Sequence, residues 1–200
     1  MRCARNLQRI LAAAVVMLAA GGARADTYPS SKITLIVAFA PGGVADTVAR
    51  LVGQGLSERL HQSVVVENRG GAGGNIAAGL VARAAPDGYT LLVTTTALAI
   101  NATLHESNPF KTTDFATVAI AASSPEALVT SPDNPAKTLA EFVKAAQGKT
   151  ITFGSAGVGS GSHVEAEYFF KELAKIKATH VPYQGGAPAI NATLGNQIDL

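Results

Sequence analysis

The sequence predicts an α/β protein whose parallel strands lie between helices. Short β-branched apolar runs recur along the chain, and turns, often rich in glycine, connect them to segments with helical spacing of apolar residues. Alternation of period two, which is typical of antiparallel sheets with one solvated face, never dominates. With 48% apolar and 15% charged side chains, 200 residues are enough to bury one or two hydrophobic cores. The expected class is therefore α/β with mainly parallel sheets flanked by helices.

The first half of the chain contains three predicted strands and two predicted helices. The turn Pro41-Gly42-Gly43 separates the first strand from the first helix, and Pro86-Asp87-Gly88 ends the second helix. The strands are predicted at Ile33–Phe39, Val64–Glu67 and Tyr89–Thr94, and the helices at Val44–Leu60 and Ile76–Ala85.

The pattern changes near the middle of the chain. Ile120 and Leu128-Val129 are interpreted as short strands, and we place a crossover between two domains around Ser123–Val129. Thr138, followed by Glu141 at the third helical position, is a capping box that opens a helix. The chain then divides into a first lobe at 26–124 and a second at 125–200. Further predicted elements are the helix Leu139–Gln147, the strands Thr150–Phe153 and His180–Tyr183, the helices Val164–Phe170 and Ala187–Leu194, and a strand beginning at Gln197.

Residues 1–25 are interpreted as a secretory signal peptide. Three arginines precede an apolar run at Ile10–Ala20, and Ala23-Arg24-Ala25 supplies the small residues of a cleavage site. The apolar run is shorter than the ~20 residues that a membrane-spanning helix needs. We therefore expect a chain that is exported and cleaved, without membrane insertion of its mature part.

Removal of the signal peptide changes the charge and the cysteine content. The whole chain has 16 basic and 14 acidic side chains, and four arginines lie before the predicted cleavage site. The mature chain is then slightly acidic, which gives no support for binding to nucleic acid. Cys3 is the single cysteine and is lost as well, so no disulfide is expected and stability must come from a core.

The segment FGSAGVGSGSH at 153–163 joins a predicted strand to a helix, and two common functions fail on spacing. A dinucleotide-binding fingerprint requires a third glycine where this chain has Ser162. A nucleophile elbow, G-x-S-x-G, is not formed, because Val158-Gly159 precedes Ser160. A secreted hydrolase that uses Ser160 and His163 remains an alternative. At the start of a helix, however, such side chains serve capping more readily than proton transfer.

The remaining interpretation of this loop is capture of an anion by backbone N–H groups. A helix N-terminus offers unpaired amides and about half a positive charge, glycines allow close approach, and serines add donors. Three loops share this plan, at Phe39–Gly43, Ser155–His163 and Tyr183–Gly186. Because they fall on both sides of the crossover, we predict two domains that close on a ligand bearing a carboxylate.

Several isolated residues carry weaker signals. Asp46 either complements the helix dipole or orders the Gly42-Gly43 loop. Arg69 could clamp a carboxylate, but Glu67 is its expected partner, and Asn101-Ala102-Thr103 matches a glycosylation motif by coincidence. The four histidines show no metal-ligand spacing, so neither a metal nor a cofactor is expected.

Four segments resemble the periplasmic receptors of tripartite tricarboxylate transporters, also called the Bug family of solute-binding proteins. The resemblance extends over the whole mature chain, in order and in spacing. It implies a two-lobe fold of the periplasmic binding protein type (type II), with lobes hinged by crossover strands and a small carboxylate in the cleft. Main-chain amides, small hydroxyls and water would hold the ligand. The segments are YPSSKITLIVAFAPGGVADTVAR, VVVENRGGAGGNIAAGLVARAAPDGYTLL, FGSAGVGSGSH and HVPYQGGAPAINATLGNQIDL.

The same resemblance implies a set of ligand-binding residues in four loops. Ala38 and Ala40 stand where prolines are frequent in the family, a mild departure. In the first lobe the set is Phe39, Pro41, Gly42, Gly43 and Asp46, with Thr94, Thr95 and Thr96. In the second lobe it is Ser155, Gly157, Gly159, Ser160 and His163, with Tyr183, Gly185 and Gly186.

The function implied by the resemblance is capture of a small organic carboxylate in the periplasm and its delivery to the permease subunits of the transporter. The ligand would be a dicarboxylate, tricarboxylate, amino acid or aromatic acid, and the protein a monomer without enzymatic activity. A receptor that hands its ligand to a signalling partner is a second alternative. Family members continue beyond the position of Leu200, so the C-terminal part of the fold is expected to be missing.

Overall fold

A computed structural model describes residues 27–105 and 107–200, and its first sheet is built from the three predicted strands of the first half. These are β1 (Ile33–Val37), β2 (Val64–Asn68) and β3 (Thr90–Val93), all parallel, in the order β2-β1-β3. In this register Ile36 lies opposite Glu67 on one side and Leu92 on the other. The central strand β1 is β-branched and almost wholly buried, as expected for a strand covered on both faces.

Three α-helices accompany this sheet. They are α1 (Val44–Leu60), α2 (Asn75–Ala82) and α3 (Ala97–Leu104), with short 3₁₀ turns at Ala72–Gly74 and Thr112–Asp114. α1 approaches the sheet closely at Gly53, where an added Cβ would already touch side chains of β1 and β2 at 3.4 to 3.5 Å. One buried apolar cluster of this half of the chain contains Ile36, Ala38, Phe39, Ala77 and Ala97.

The second sheet has two parallel strands, β4 (Thr150–Ser155) and β5 (Lys177–Pro182). Its helices are α4 (Leu139–Ala146), α5 (Gly161–Tyr168) and α6 (Gly186–Leu194), and α5 continues as a π-helical turn over Phe169–Leu173. A separate core forms here, in which Phe153 and Phe170 pack with ring centroids 5.4 Å apart. Its other buried members are Phe142, Ala146, Ile151, Ala166, Ile176 and Leu200.

Most predicted elements are confirmed, with ends that shift by a few residues. The Thr138 hydroxyl caps α4 by accepting from the Glu141 N–H at 3.2 Å. The Glu141 carboxylate accepts from the Lys137 N–H at 2.7 Å, one residue before the position that a capping box predicts. The segment predicted as a strand from Gln197 is not a regular strand, but the Gly154 N–H of β4 donates to the Leu200 carbonyl at 2.8 Å.

The short strands predicted at Ile120 and Leu128-Val129 are wrong. Residues 115–130 form no helix or strand, and Ile120 is 89% exposed. β-branched composition makes a residue suitable for a strand, but a strand exists only where a neighbouring strand accepts its hydrogen bonds. No other described strand pairs with this segment.

All five strands belong to one compact unit, residues 31–200. The predicted signal peptide lies outside the described residues. Of the helices in the described ranges, none combines the length and the apolar character that a bilayer crossing requires.

Candidate functional site

A cavity of about 540 Å³ lies between the loops of the two sheets, at the carboxyl ends of β1, β3 and β4. The first turns of α1, α5 and α6 all contribute to its wall, and Thr95 contributes from the turn before α3. This is the position in which open parallel sheets place their ligands. The wall is mostly apolar, with side chains such as Phe39, Phe153 and Phe169.

The first loop, residues 39–43, is held in place by a buried carboxylate. Asp46 in the first turn of α1 is 4% exposed, and its Oδ2 accepts from the Gly42 N–H at 2.9 Å. Its Oδ1 accepts from the Asn68 amide at 2.9 Å, and Asn68 also donates to the Phe39 carbonyl at 3.0 Å. Asp46 therefore orders the loop, which is one of the two roles that the sequence leaves open.

Arg50 completes this network one turn along α1. Its Nε donates to Asp46 Oδ2 at 3.0 Å, and its guanidinium forms an ion pair with Oδ1 at 2.9 Å. The hydrogen bond from Arg50 is the main cause that lowers the pKa of Asp46 to about 2, against the opposing effect of burial. The first loop thus rests on a carboxylate that stays ionised at neutral and mildly acidic pH.

The second loop, residues 155–163, is held by neutral hydroxyl groups. Ser160 is the N-cap of α5, accepting from the His163 N–H at 3.3 Å and donating to the Gly157 carbonyl at 2.7 Å. Ser162 Oγ accepts from the Ala156 N–H at 3.1 Å, and Ser155 Oγ accepts from the Gly157 N–H at 3.0 Å. Ser155 and Ser160 are both buried, so these hydroxyls shape the loop from within.

Two stacked imidazoles support the same loop. His163 and His180 lie with ring centroids 4.0 Å apart and planes 25° apart. His163 Nδ1 accepts from the Gly159 N–H at 3.2 Å, and His180 Nε2 lies 2.6 Å from Ser155 Oγ. Burial, followed by the neighbouring His163, lowers the pKa of His180 to about 4, and burial lowers the pKa of His163 as well.

These contacts bear on the hydrolase alternative. The Ser160 hydroxyl donates to a carbonyl, and the His163 imidazole accepts from a backbone N–H, so the two side chains do not form a nucleophile–base pair. The serine that contacts an imidazole is Ser155, and its partner His180 has the low pKa of a weak base.

The third loop, residues 183–186, lies directly against the first. The Ala40 N–H donates to the Gln184 carbonyl at 2.8 Å, which is a hydrogen bond between the two halves of the chain. A Cβ at Gly185 would lie 3.0 Å from the Ala40 nitrogen, and one at Gly70 would lie 3.0 Å from the Gln184 oxygen. A Cβ at either position would crowd the facing backbone, so glycine allows this close approach.

A second contact between the halves involves Gly73, Gly159 and Asn101. A Cβ at Gly73 would overlap the Val158 carbonyl, and one at Gly159 would overlap the Asn101 side chain. Asn101 is fully buried and donates to the Gly73 carbonyl at 3.0 Å, while its Oδ1 has no hydrogen-bond partner. Its burial is incompatible with glycosylation in this conformation. The glycosylation motif at Asn101 does not indicate this packing role.

The cavity wall includes two carboxylates and no basic side chain. Glu126 lies on the irregular segment before α4, and Glu165 lies on α5. Burial, followed by repulsion from Glu165, raises the pKa of Glu126. Arg69, the sequence candidate for a carboxylate clamp, pairs with Glu67 at 3.0 Å, as predicted. Within the described part of the chain, no group of three or more metal-binding side chains occurs.

The structure brings the predicted loops together but places their residues at different depths. The lining residues that the sequence does not predict come from the segment at 126–129, from helix faces and, at Phe153, from β4. Their orientation toward the cavity is decided by tertiary packing. Six of the predicted binding residues line the cavity: Phe39, Gly43, Thr95, Ser155, Ser160 and Gly186. The other ten lie outside the lining, namely Pro41, Gly42, Asp46, Thr94, Thr96, Gly157, Gly159, His163, Tyr183 and Gly185. Missed lining residues include Val44, Glu126, Leu128, Phe153, Gly161, Glu165, Phe169 and Ile190.

Comparison with known families assigns the chain. Residues 48–200 match the model of the tripartite tricarboxylate transporter family receptor. The chain belongs to this family. Curated relatives include the UPF0065 protein in the tcbD-tcbE intergenic region of Pseudomonas sp. strain P51, 36% identical over 96% of this chain and 59% of the relative. Protein BugT of Bordetella pertussis is also 36% identical, over 96% of this chain and 62% of its own length.

Solved structures show the same fold. MatC from Rhodopseudomonas palustris, with bound malate, superposes with a TM-score of 0.75 at 36% identity and covers 86% of this chain and 60% of its own. The periplasmic binding protein BugD gives a TM-score of 0.72 at 31% identity, over 86% of this chain and 58% of its own. A second R. palustris protein, solved with adipate, gives a TM-score of 0.74 at 26% identity, over 86% of this chain and 58% of its own. The described α/β elements are therefore those of a periplasmic solute-binding protein, and the chain spans about 60% of the length of these relatives.

Proposed function

We propose that this protein is a periplasmic receptor that holds a small organic carboxylate in the cavity between its two sheets. The observation that carries this proposal is the convergence of the first turns of α1, α5 and α6 on one cavity of about 540 Å³. Family membership and the malate and adipate in two solved relatives support the same ligand class.

The helix N-termini supply the donors that such a ligand needs. The N-caps of α1 and α6, Gly43 and Gly185, make no side-chain capping hydrogen bond, so the first amides of these helices remain unpaired within the helix. A carboxylate would accept from these amides and gain from the helix dipoles. The residues predicted in the first and third loops would act here through their backbone.

Binding would stabilise the closed arrangement, because the ligand contacts both halves only when they meet. We take residues 26–124 and 125–200 as the two lobes, and the contacts of Ala40 with Gln184 and of Gly73 with Val158 as their closing surfaces. The closed, loaded receptor, a monomer after export and removal of residues 1–25, would deliver its ligand to the permease subunits of a tripartite tricarboxylate transporter.

A ligand panel tests this function directly. The purified protein is expected to gain thermal stability with one or a few monocarboxylates, dicarboxylates or tricarboxylates, because a ligand that binds only the folded state raises the midpoint of unfolding. Inorganic phosphate and neutral sugars serve as controls. Shifts with phosphate or sugars, and none across the carboxylates, would refute the proposal.

A cavity-filling variant locates the binding site. Ala127 lines the cavity from an irregular segment, so Ala127→Trp is expected to block the ligand while leaving both cores intact. Ala121→Trp lies on the same segment outside the lining and is the matched control. Loss of the ligand-induced shift in both variants, or in neither, would place the site elsewhere.

A further inference from the structure

The cavity has an uneven distribution of charge that the carboxylate function does not explain. A Cβ at Gly161, the first residue of α5, would lie 3.5 Å from Glu126 Oε1 and 3.6 Å from Glu165 Oε1. Both glutamates line the cavity, and they come from different parts of the chain. Two carboxylates therefore converge on one end of a site whose other walls are loops and apolar side chains.

Neither glutamate is neutralised by the protein. No hydrogen bond or ion pair joins the side-chain carboxylate of Glu126 or of Glu165 to any residue of the described ranges, whereas the carboxylates of Asp46, Glu67, Glu167 and Glu172 each pair with a base. Partial burial, followed by repulsion from Glu165, raises the pKa of Glu126. A second negative group from the ligand at this end would add to that repulsion.

We propose that Glu126 and Glu165 make the receptor selective for a carboxylate ligand that also bears an ammonium group, and against a dicarboxylate of equal length. The carboxylate of such a ligand would lie against the uncapped helix N-termini, and its ammonium would lie between the two glutamates. This inference rests on the proposed function, since it assigns charge selection to the same cavity.

The electrostatic reason is the change of sign at one position. An ammonium beside two carboxylates is attracted, whereas a carboxylate in the same place is repelled. The attraction strengthens binding of the ammonium ligand and the repulsion weakens binding of the dicarboxylate. We therefore expect the ammonium ligand to bind at least about tenfold more tightly than the dicarboxylate. Added salt should reduce this preference, because the glutamates remain partly open to solvent.

The test compares two probes that differ only in one terminal group. Glutarate and δ-aminovalerate share a carbon chain and one carboxylate, and their dissociation constants are measured by calorimetry with the purified protein. δ-Aminovalerate is expected to bind at least about tenfold more tightly, and the double variant Glu126→Gln with Glu165→Gln should remove most of the difference. Glu172→Gln, which changes an exposed glutamate outside the cavity, is the matched control and should leave it unchanged.

The outcomes separate this inference from the function on which it rests. Tighter binding of glutarate than of δ-aminovalerate would overturn the charge selection and leave the carboxylate receptor in place. An ammonium preference that survives the double glutamine variant would show that other groups cause it. Failure of both probes and of the whole carboxylate panel, in a protein with an intact unfolding transition, would remove the function itself.

Discussion

The first and second loops face the same cavity but are held by opposite kinds of chemistry. Residues 39–43 rest on an ionised network, in which Asp46 accepts from Gly42, Arg50 and Asn68. Residues 155–163 rest on serine hydroxyls and two neutral imidazoles. A loop can thus be ordered either by a buried charge or by a neutral hydrogen-bond network. The two loops should respond differently to changes in packing and in pH.

The largest difference in stability between the two loops is expected when one glycine of each loop is replaced by alanine. Gly42 and Gly159 have nearly the same positive φ, +84° and +83°, so an added Cβ is strained at both positions. At Gly42 the new atom meets Ala187 Cβ at 3.6 Å, whereas at Gly159 it overlaps the buried Asn101 side chain. Gly42→Ala should lower the free energy of unfolding by about 1 kcal/mol, and Gly159→Ala by about 3 kcal/mol.

Urea unfolding measures the change in the free energy of unfolding for Gly42→Ala and Gly159→Ala. Gly55→Ala is a control in α1, where an added Cβ meets nothing within 4 Å. That control should gain about 0.5 to 1 kcal/mol from helix propensity. Equal losses at Gly42 and Gly159 would mean that the two halves do not touch at Asn101 in solution.

The next effect concerns the charge beneath the first loop. Asp46→Asn keeps the shape of the side chain but removes the ion pair to Arg50 and leaves its donors poorly satisfied. Because the pKa of Asp46 is about 2, we expect a loss of about 2 kcal/mol in the free energy of unfolding at neutral pH. Denaturant titration measures it.

Glu67→Gln is the matched variant, since it removes an ion pair in which the Arg69 side chain is 53% exposed. Exposed pairs contribute about 0 to 1 kcal/mol, so little change is expected. If Asp46→Asn cost no more than this variant, the ionised network would not be what orders the first loop.

Acid should weaken the second loop and spare the first. The pKa of His180 falls from 6.5 to about 4 on folding, so the unfolded chain takes up a proton at higher pH than the folded one. This contribution to stability is fully present above pH 6.5 and is lost as the pH falls toward 4. Asp46 contributes a constant amount in this window, because its depressed pKa matters only below about 3.8.

We expect the free energy of unfolding to fall by about 1 to 2 kcal/mol between pH 7 and pH 4.5 on account of His180, after allowance for its partial exposure. Glu167 favours protonation of both histidines, and Lys171 opposes it. His180→Gln should flatten the pH profile, whereas His61→Gln, at the end of α1, should not. An unchanged slope in His180→Gln would assign the pH dependence to other groups.

How far the sequence predicts these regions depends on the range of the interactions involved. The strands and helices are predicted well where apolar periodicity is bounded by glycine or proline, as at Pro41-Gly42-Gly43. The strand at Ile120 is predicted wrongly, because pairing depends on a partner remote in sequence. Glycine clusters predict where the three loops lie, since a turn with positive φ is a local requirement.

Side-chain partners across the molecule are predicted less well. Asp46 and Arg69 have sequence-local partners, and both pairings are anticipated in part. Glu126 and Asn101 acquire their roles from segments that meet only in the folded protein, and a single sequence contains no signal of that meeting. The sequence predicts the hydroxyls of Ser155 and Ser160 as ligand contacts. In the structure both hydroxyls have hydrogen-bond partners within the loop, and Ser155 also contacts His180 of β5.

The smallest expected effect separates capping from ligand contact at Ser160. Ser160→Ala removes the N-cap of α5 and the hydrogen bond to the Gly157 carbonyl, for a loss of about 1 kcal/mol. Thr138→Ala removes the N-cap of α4, remote from the cavity, and should cost a similar amount. If the Ser160 hydroxyl only shapes the loop, the two variants should show equal loss of stability and nearly equal carboxylate affinity by calorimetry. A fall in affinity of tenfold or more in Ser160→Ala alone would make this hydroxyl a direct ligand contact, and the second loop would then bind through side chains where the first binds through backbone.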